Sequence, residues 1–148
     1  MISTIWARSS GGFFQLSKKL AESSTYGNFK HGAVLSRGGA IISLGINSDR
    51  YCSVGKNHRS DEKGNPTYHA EISAILNLPR HVTKGATIYV ARASKKDGTF
   101  RQSKPCTMCH EVLKERGIKR VIYSVDENTY GTYKFWGFMT NDKKRVLV

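Results

Sequence analysis

Two short segments, His69-Ala70-Glu71 and Pro105-Cys106-Thr107-Met108-Cys109, constrain this chain more than anything else in it. Imidazole and thiolate are ligands for a borderline metal, so a fold that uses all three donors must bring two distant segments together. Cys106 and Cys109 stand at i and i+3, the spacing that sets two side chains on one helix face, and His69 opens a second helical stretch. Where two helix N-termini converge, their positive dipole ends favour thiolate. Three protein ligands leave a tetrahedral zinc one position for water, the arrangement of a catalytic site. Two thiolates cancel the ion's formal charge, so acidifying that water leans on a neighbouring base. Glu71 suits this role: on a helical turn it does not share the direction of His69 but stays within reach of the water. The competing reading is a closed zinc staple with Cys52, His58 or His110 as fourth ligand. His110 is the least suited, because it points about 100° round the helix from Cys109. A redox C-x-x-C would have no use for the distant His-x-Glu. His31 and His81 lie in no ligand pattern.

A chain of 148 residues suits one globular domain spanning 1–148. It has no run of eighteen apolar residues, and its first twenty residues lack an apolar stretch with a small-residue cleavage site. A soluble, cytoplasmic protein with no membrane partner is therefore expected. Three cysteines, two of them in C-x-x-C, are a poor disulfide framework and agree with a reducing compartment. Lys and Arg number 24 against 11 acidic residues, a formal charge of +13, which favours anionic partners: a nucleotide substrate or single-stranded nucleic acid.

Along the chain, Phe13, Leu16, Leu20 and Ala21 at helical spacing predict a helix over 12–24 that covers one face of a sheet. The apolar runs 32–36 and 40–46 flank Arg37-Gly38-Gly39 and predict a hairpin, whose composition places it centrally and not at an exposed edge. Residues 47–68 are polar and aperiodic and deliver the chain to His69; they read either as a substrate-facing lid or as a floppy excursion. Ile72, Ile75 and Leu76 give the next helix an inward stripe, with Pro79 as its stop. Thr87 to Ala93 reads as a buried strand. Lys96-Asp97-Gly98 is a hairpin turn whose basic arms, with Arg92, Lys95, Arg101 and Lys104, run into the cysteine motif. Cys106 to Arg116 is helical and stops at Gly117, and Arg120 to Asp126 is another strand. The aromatic residues after Asp126 read as cover for the core. Alternating helices and strands predict an α/β three-layer domain, a central mixed β-sheet with helices on both faces.

His-Ala-Glu followed by Pro-Cys-x-x-Cys is the signature of zinc-dependent nucleobase deaminases, and the chain resembles the cytidine/deoxycytidylate deaminase superfamily. The glycine-turn hairpin, Gly45-Ile46-Asn47, the His-Ala-Glu helix, Ala86 to Val90, the cysteine helix and Gly117 to Val121 follow the family order over about residues 28–126. The resemblance implies a cytidine deaminase-like fold, a zinc ion on His69, Cys106 and Cys109, and Glu71 as proton shuttle. It also implies substrate contacts from Asn47 and from the backbone near Ala70 and Lys104, and allows a homo-oligomer. The approach to Pro105 is longer than the Thr-x-Glu-Pro-Cys of relatives, Asp49 replaces a glutamate of the free-cytidine enzymes, and too few residues follow Asp126 for a full extra helix and strand pair, so trimmed C-terminal elements are expected. Deamination of cytosine in dCMP or CMP is the leading expectation. Action on cytosine or adenine in single-stranded DNA, RNA or tRNA is the runner-up, and a non-enzymatic zinc-stapled nucleic-acid-binding domain is the third.

Overall fold

A computed structural model of the chain describes residues 10–24, 30–47, 69–94, 96, 99–126, 129–136 and 139–146. Helix α1 is Ser10–Glu22, followed by strands β1 Lys30–Arg37 and β2 Ala40–Ile46. The short helices α2 Ala70–Ile75 and α3 Arg80–Thr83 precede β3 Thr87–Ala93 and the two-residue β4 Phe100–Arg101. Helix α4 Thr107–Glu115, β5 Arg120–Asp126, β6 Thr129–Trp136 and β7 Met139–Val146 complete the order.

The strands form one mixed sheet in the order β2-β1-β3-β5-β6-β7, with β4 pairing on β3. Strands β3 and β5 are parallel, joined through α4, and the remaining pairs are antiparallel. In β3, Ile88 and Val90 face one way and Tyr89 and Ala91 the other, as the two-residue period of a strand requires. The first pair packs with Leu35, Val121 and the apolar stripes of α2 and α4: Ile72, Ile75, Val112 and Leu113. The second packs with Val34, Ile122 and Phe14 of α1, whose ring stacks on Phe100 at 4.8 Å. Helices therefore cover both faces, as the sequence predicts.

The β1–β2 hairpin turns on Gly38 and Gly39, at φ 60° and 82°, which suits a tight two-residue turn between twisted strands. Its expected central position is not what the structure shows. Strand β1 is interior, but β2 is the sheet edge, and Ile41 and Leu44 are 47 % and 46 % exposed. An apolar run resembles a doubly covered strand, but composition does not record which neighbours pair with it. One further expectation changes. Helix α2 ends at Ile75, before Pro79, and Pro79 instead caps the start of α3 with φ −70°; proline's fixed φ fits a helix start as well as a stop. After Asp126 two full strands, β6 and β7, extend the sheet. Tyr133 is buried there among Tyr123, Phe135 and His110, as core cover.

Strand β3 changes partner along its length. It pairs with β5 from Thr87↔Arg120 to Val90↔Tyr123, then with β4 at Arg92↔Arg101 and Ala93↔Phe100. The segment that leads to Cys106 thus begins beside the carboxyl ends of the two parallel strands, where α/β sheets usually place their ligands.

Candidate metal centre

His69 immediately precedes α2, in extended backbone conformation at φ −86° and ψ 155°. Cys106 occupies the same position before α4, at φ −68° and ψ 171°. Neither side chain bonds its own helix end, as Ser or Asp there would. They turn to each other instead: His69 Nδ1 lies 3.7 Å from Cys106 Sγ and 3.2 Å from Cys109 Sγ. Cys109 is in the first turn of α4 and buried, Cys106 is exposed, and His69 is intermediate. The i, i+3 spacing therefore works across a helix boundary, with one donor in the helix and one just outside it.

The three donor atoms all lie within 4.8 Å of one another. Zinc–sulfur bonds of about 2.3 Å and zinc–nitrogen bonds of about 2.0–2.1 Å at tetrahedral angles put nitrogen and sulfur about 3.5 Å apart. The observed separations bracket that value, and one nitrogen with two sulfurs is a donor set that zinc favours, so the residues fit the ion.

Helix α2 sits against β2 at Gly45. A Cβ there would strike the Ala70 carbonyl oxygen and lie 2.6 Å from the Ala74 nitrogen. Only glycine allows that approach, which sets His69 and Glu71 at a fixed height over the sheet. Glu71 is buried, and its carboxyl is near enough to Cys109 to push that thiol's pKa up. Burial pushes this carboxyl above the usual carboxylate value, against an opposing pull from His69. The hydrogen bond from Cys109 is the main reason the Cys106 thiol falls to about 4; the same bond, then burial, pushes Cys109 up. Without a metal, the two sulfurs hold one proton between them. Helix α2, at six residues, is too short to add much dipole, so the expected pull of two helix ends reduces largely to that of α4.

His110 is not among the clustered donors. Its Nδ1 lies 3.4 Å from the Tyr133 hydroxyl and its ring packs against Phe135. Among the described residues, His69, Cys106 and Cys109 are the one such group. Cys52, His58, Asp49 and the 48–68 part of the polar loop lie outside the described residues. Asn47 is buried at the end of β2, where its Oδ1 accepts the Ser24 hydroxyl at 2.6 Å and the His31 amide at 2.9 Å. Ala70 is buried under Gly45, and Lys104 is exposed, two residues before Cys106. The basic hairpin forms as far as it is described: Ser94 N–H donates to Thr99 at 2.8 Å. Arg92 and Arg101 stand directly opposite each other, on the face that carries Val90. Sequence reasoning missed Ser103 and Ser124, both buried beside this hairpin; a lone serine in a strand or connector carries no periodic signal.

A mixed sheet sandwiched by helices, with a His-Cys-Cys donor cluster at the starts of two facing helices, defines a metal-site domain of the deaminase-like α/β class. A model of the cytidine and deoxycytidylate deaminase zinc-binding region matches residues 8–125, and the chain belongs to that family. The protein is thus a member of a zinc-binding family, and zinc is its metal. No curated protein sequence matches the chain. Among solved structures, a dCMP deaminase from the cyanophage S-TIM5 is similar at 19 % identity and TM-score 0.54, covering 83 % of this chain and 84 % of that one. A cytidine deaminase from Mycobacterium tuberculosis is similar at 21 % identity and TM-score 0.48, with 80 % and 90 % covered. A Thermotoga maritima diaminohydroxyphosphoribosylaminopyrimidine deaminase/reductase is similar at 23 % identity and TM-score 0.48, with 76 % of this chain matching 28 % of that longer one. The first of these supports the deaminase-like fold. No helix among the described residues is long and apolar enough to cross a membrane.

Proposed function

We propose that this chain, as a single domain, hydrolytically deaminates cytosine in a nucleoside monophosphate, dCMP or CMP, releasing ammonia and leaving uracil. The observation that carries the reading is the buried carboxyl of Glu71, two residues from His69 and electrostatically coupled to Cys109, beside the three clustered metal donors. Zinc held by His69, Cys106 and Cys109 supplies a Lewis acid that makes water a nucleophile near neutral pH. In this reading Glu71 takes one proton from the attacking water and gives it to ring N3 as C4 becomes tetrahedral, then takes the remaining proton from the new C4 hydroxyl and gives it to the amine as the C4–N bond breaks, leaving the uracil carbonyl and ammonia. A carboxyl raised by burial suits both halves of that task, since it binds a proton readily and returns it at neutral pH. On the same reading, Asn47 and the backbone near Ala70, both buried, and the backbone near Lys104 contact the base or sugar.

Two observations support a phosphorylated substrate. The family model covers deoxycytidylate deaminases, and the arm that leads to Cys106 carries the exposed Arg101 and Lys104, with Arg92 opposite Arg101. Guanidinium groups bind phosphate oxygens with matched geometry. The purified zinc-loaded protein is offered dCMP and CMP at neutral pH, with products read by mass spectrometry; uridylate product is expected, and none from either substrate defeats the reading.

A second reading, deamination within single-stranded DNA, RNA or tRNA, is favoured by the formal charge of +13, more than one monophosphate requires. Activity on oligonucleotides that falls steeply with salt, with none on mononucleotides, selects it. On either reading the reaction belongs to a soluble, cytoplasmic protein, and a homo-oligomer is compatible with it.

A further inference from the structure

The two cysteines are held in different ways. Cys109 is locked by the packing of α4, where Val112 and Leu113 are buried in the core. Cys106 is exposed and sits outside the helix, at the end of an irregular arm, residues 102–106, that leaves β4. Its position depends on how that arm is tied down. The arm enters where β3 gives up β5 as partner and takes β4, so the backbone groups at the carboxyl ends of β3 and β5 need partners other than each other.

Two buried hydroxyls provide them. Ser103 Oγ donates to the Val90 carbonyl at 2.8 Å and accepts the Ser124 N–H at 2.7 Å. Ser124 Oγ donates to the Arg101 carbonyl at 2.5 Å and accepts the Arg92 N–H at 3.2 Å. Ser103 N–H closes the set on the Ser124 carbonyl at 2.8 Å. Each hydroxyl gives its one proton to a carbonyl and receives a backbone N–H, and together they join β3, β5 and the arm in the place of a regular ladder. The two oxygens are 2.8 Å apart, which makes them one unit.

We infer that Ser103 and Ser124 are positioning residues for the metal centre: their hydroxyl pair fixes the arm that presents Cys106, three residues on from Ser103. The inference rests on the reading of Cys106 as a zinc ligand, but not on which base or nucleotide is the substrate. Removing the Ser103 hydroxyl orphans the buried Val90 carbonyl and Ser124 N–H, and removing the Ser124 hydroxyl takes a partner from the half-buried Arg92 N–H and from the Arg101 carbonyl; these groups separate to find water and the arm lifts from the sheet. Cys109 and His69, held by other elements, stay in place.

The test uses cobalt in place of zinc, because its thiolate charge-transfer and visible bands report which sulfurs bind and in what geometry. Ser103→Ala and Ser124→Ala are compared with Ser17→Ala, which removes an equally buried hydroxyl, bonded to the Phe14 carbonyl in α1 on the far side of the sheet. The first two variants are expected to bind cobalt and zinc about tenfold or more weakly, with the charge-transfer band reduced, as outer-shell changes at metal sites do. Ser17→Ala keeps wild-type affinity and spectrum, and Ser103→Thr, which retains the hydroxyl, recovers most of both. Wild-type affinity and spectrum in both alanine variants overturn the inference. Should the alanine variants not fold, hydrogen exchange on the metal-free wild type decides. The amides of Arg92, Ser103 and Ser124 are expected to exchange as slowly as those of central β3, and exchange at the rate of exposed loops overturns the inference. A wild-type protein that binds no cobalt defeats the ligand assignment, whereas a cobalt-binding protein without deaminase activity defeats the substrate reading alone.

Discussion

Replacing Gly45 by alanine should damage the metal centre from the opposite side of the helix that carries it. The added Cβ would stand 2.6 Å from the Ala74 nitrogen and 3.0 Å from its Cα, with the Ala70 carbonyl oxygen closer still. Carbon and nitrogen rest about 3.5 Å apart or more, so α2 has to retreat from β2 by about 1 Å. Neither partner can yield locally, since both contacts are backbone. Overpacking of this kind costs about 1–3 kcal/mol, or roughly 3–10 °C of Tm in a domain of this size. The same retreat carries His69 away from the sulfurs. From 3.2 and 3.7 Å now, the nitrogen would move beyond the roughly 3.5 Å that a tetrahedral zinc spans. Thermal unfolding with chelator gives the first effect and competitive zinc titration gives the second. Gly32→Ala is the control: its Cβ would meet the Ala21 nitrogen at 2.5 Å, in α1 on the other face. It should lose comparable stability and keep zinc affinity in the folded state. A Gly45→Ala protein with wild-type Tm and affinity, or a control that loses affinity equally, would refute the reasoning.

Glu71→Gln should lower turnover by at least about 10²-fold while zinc stays bound, as assayed by product formation and metal content. In metal-free protein the same change should stabilise. A carboxyl whose folded pKa is raised binds protons more tightly folded than unfolded, so wild-type stability falls as pH rises from 4.5 through the raised value, and the amide escapes that loss. Melts in chelator at pH 4.5 and pH 8 should show the variants diverging only at the higher pH. In the Glu71→Gln background, zinc binding near neutral pH should release about one proton from the thiols and not two, because Cys106 is already ionised at about 4 while Cys109 keeps its proton. Calorimetry in buffers of differing ionisation enthalpy counts them, and affinity should accordingly rise about tenfold per pH unit there. Arg101→Gln and Lys104→Gln should raise KM for dCMP several-fold and leave kcat nearly unchanged; equal KM in the variants would remove the phosphate role of the basic arm.

Much of the molecule follows from local chemistry. The donors His69, Cys106 and Cys109 are legible because few residue types bind zinc and their spacing is particular to it. Strands β3 and β5 and helix α4 are legible because period and stop signals, such as Gly117 at φ 75°, act within a few residues. Other features depend on what lies alongside in space. The same apolar run that forms the edge strand β2 would serve in a sheet centre, so pairing order alone decides its exposure. Strands β6 and β7 gain their place from the open edge of β5, and their mixed polar and aromatic residues carry no clean alternation. Helix α2 can reach β2 only because Gly45 lacks a side chain at a contact formed between segments far apart in the chain. Ser103 and Ser124 matter only where β3 exchanges partners. From sequence come the candidate donors and the class of chemistry, because both reside in residue type and spacing. Tertiary structure alone decides what holds each donor: the core packing of α4 for Cys109, the contact of α2 with Gly45 for His69, and for Cys106 the backbone groups left without a ladder where two parallel strands part.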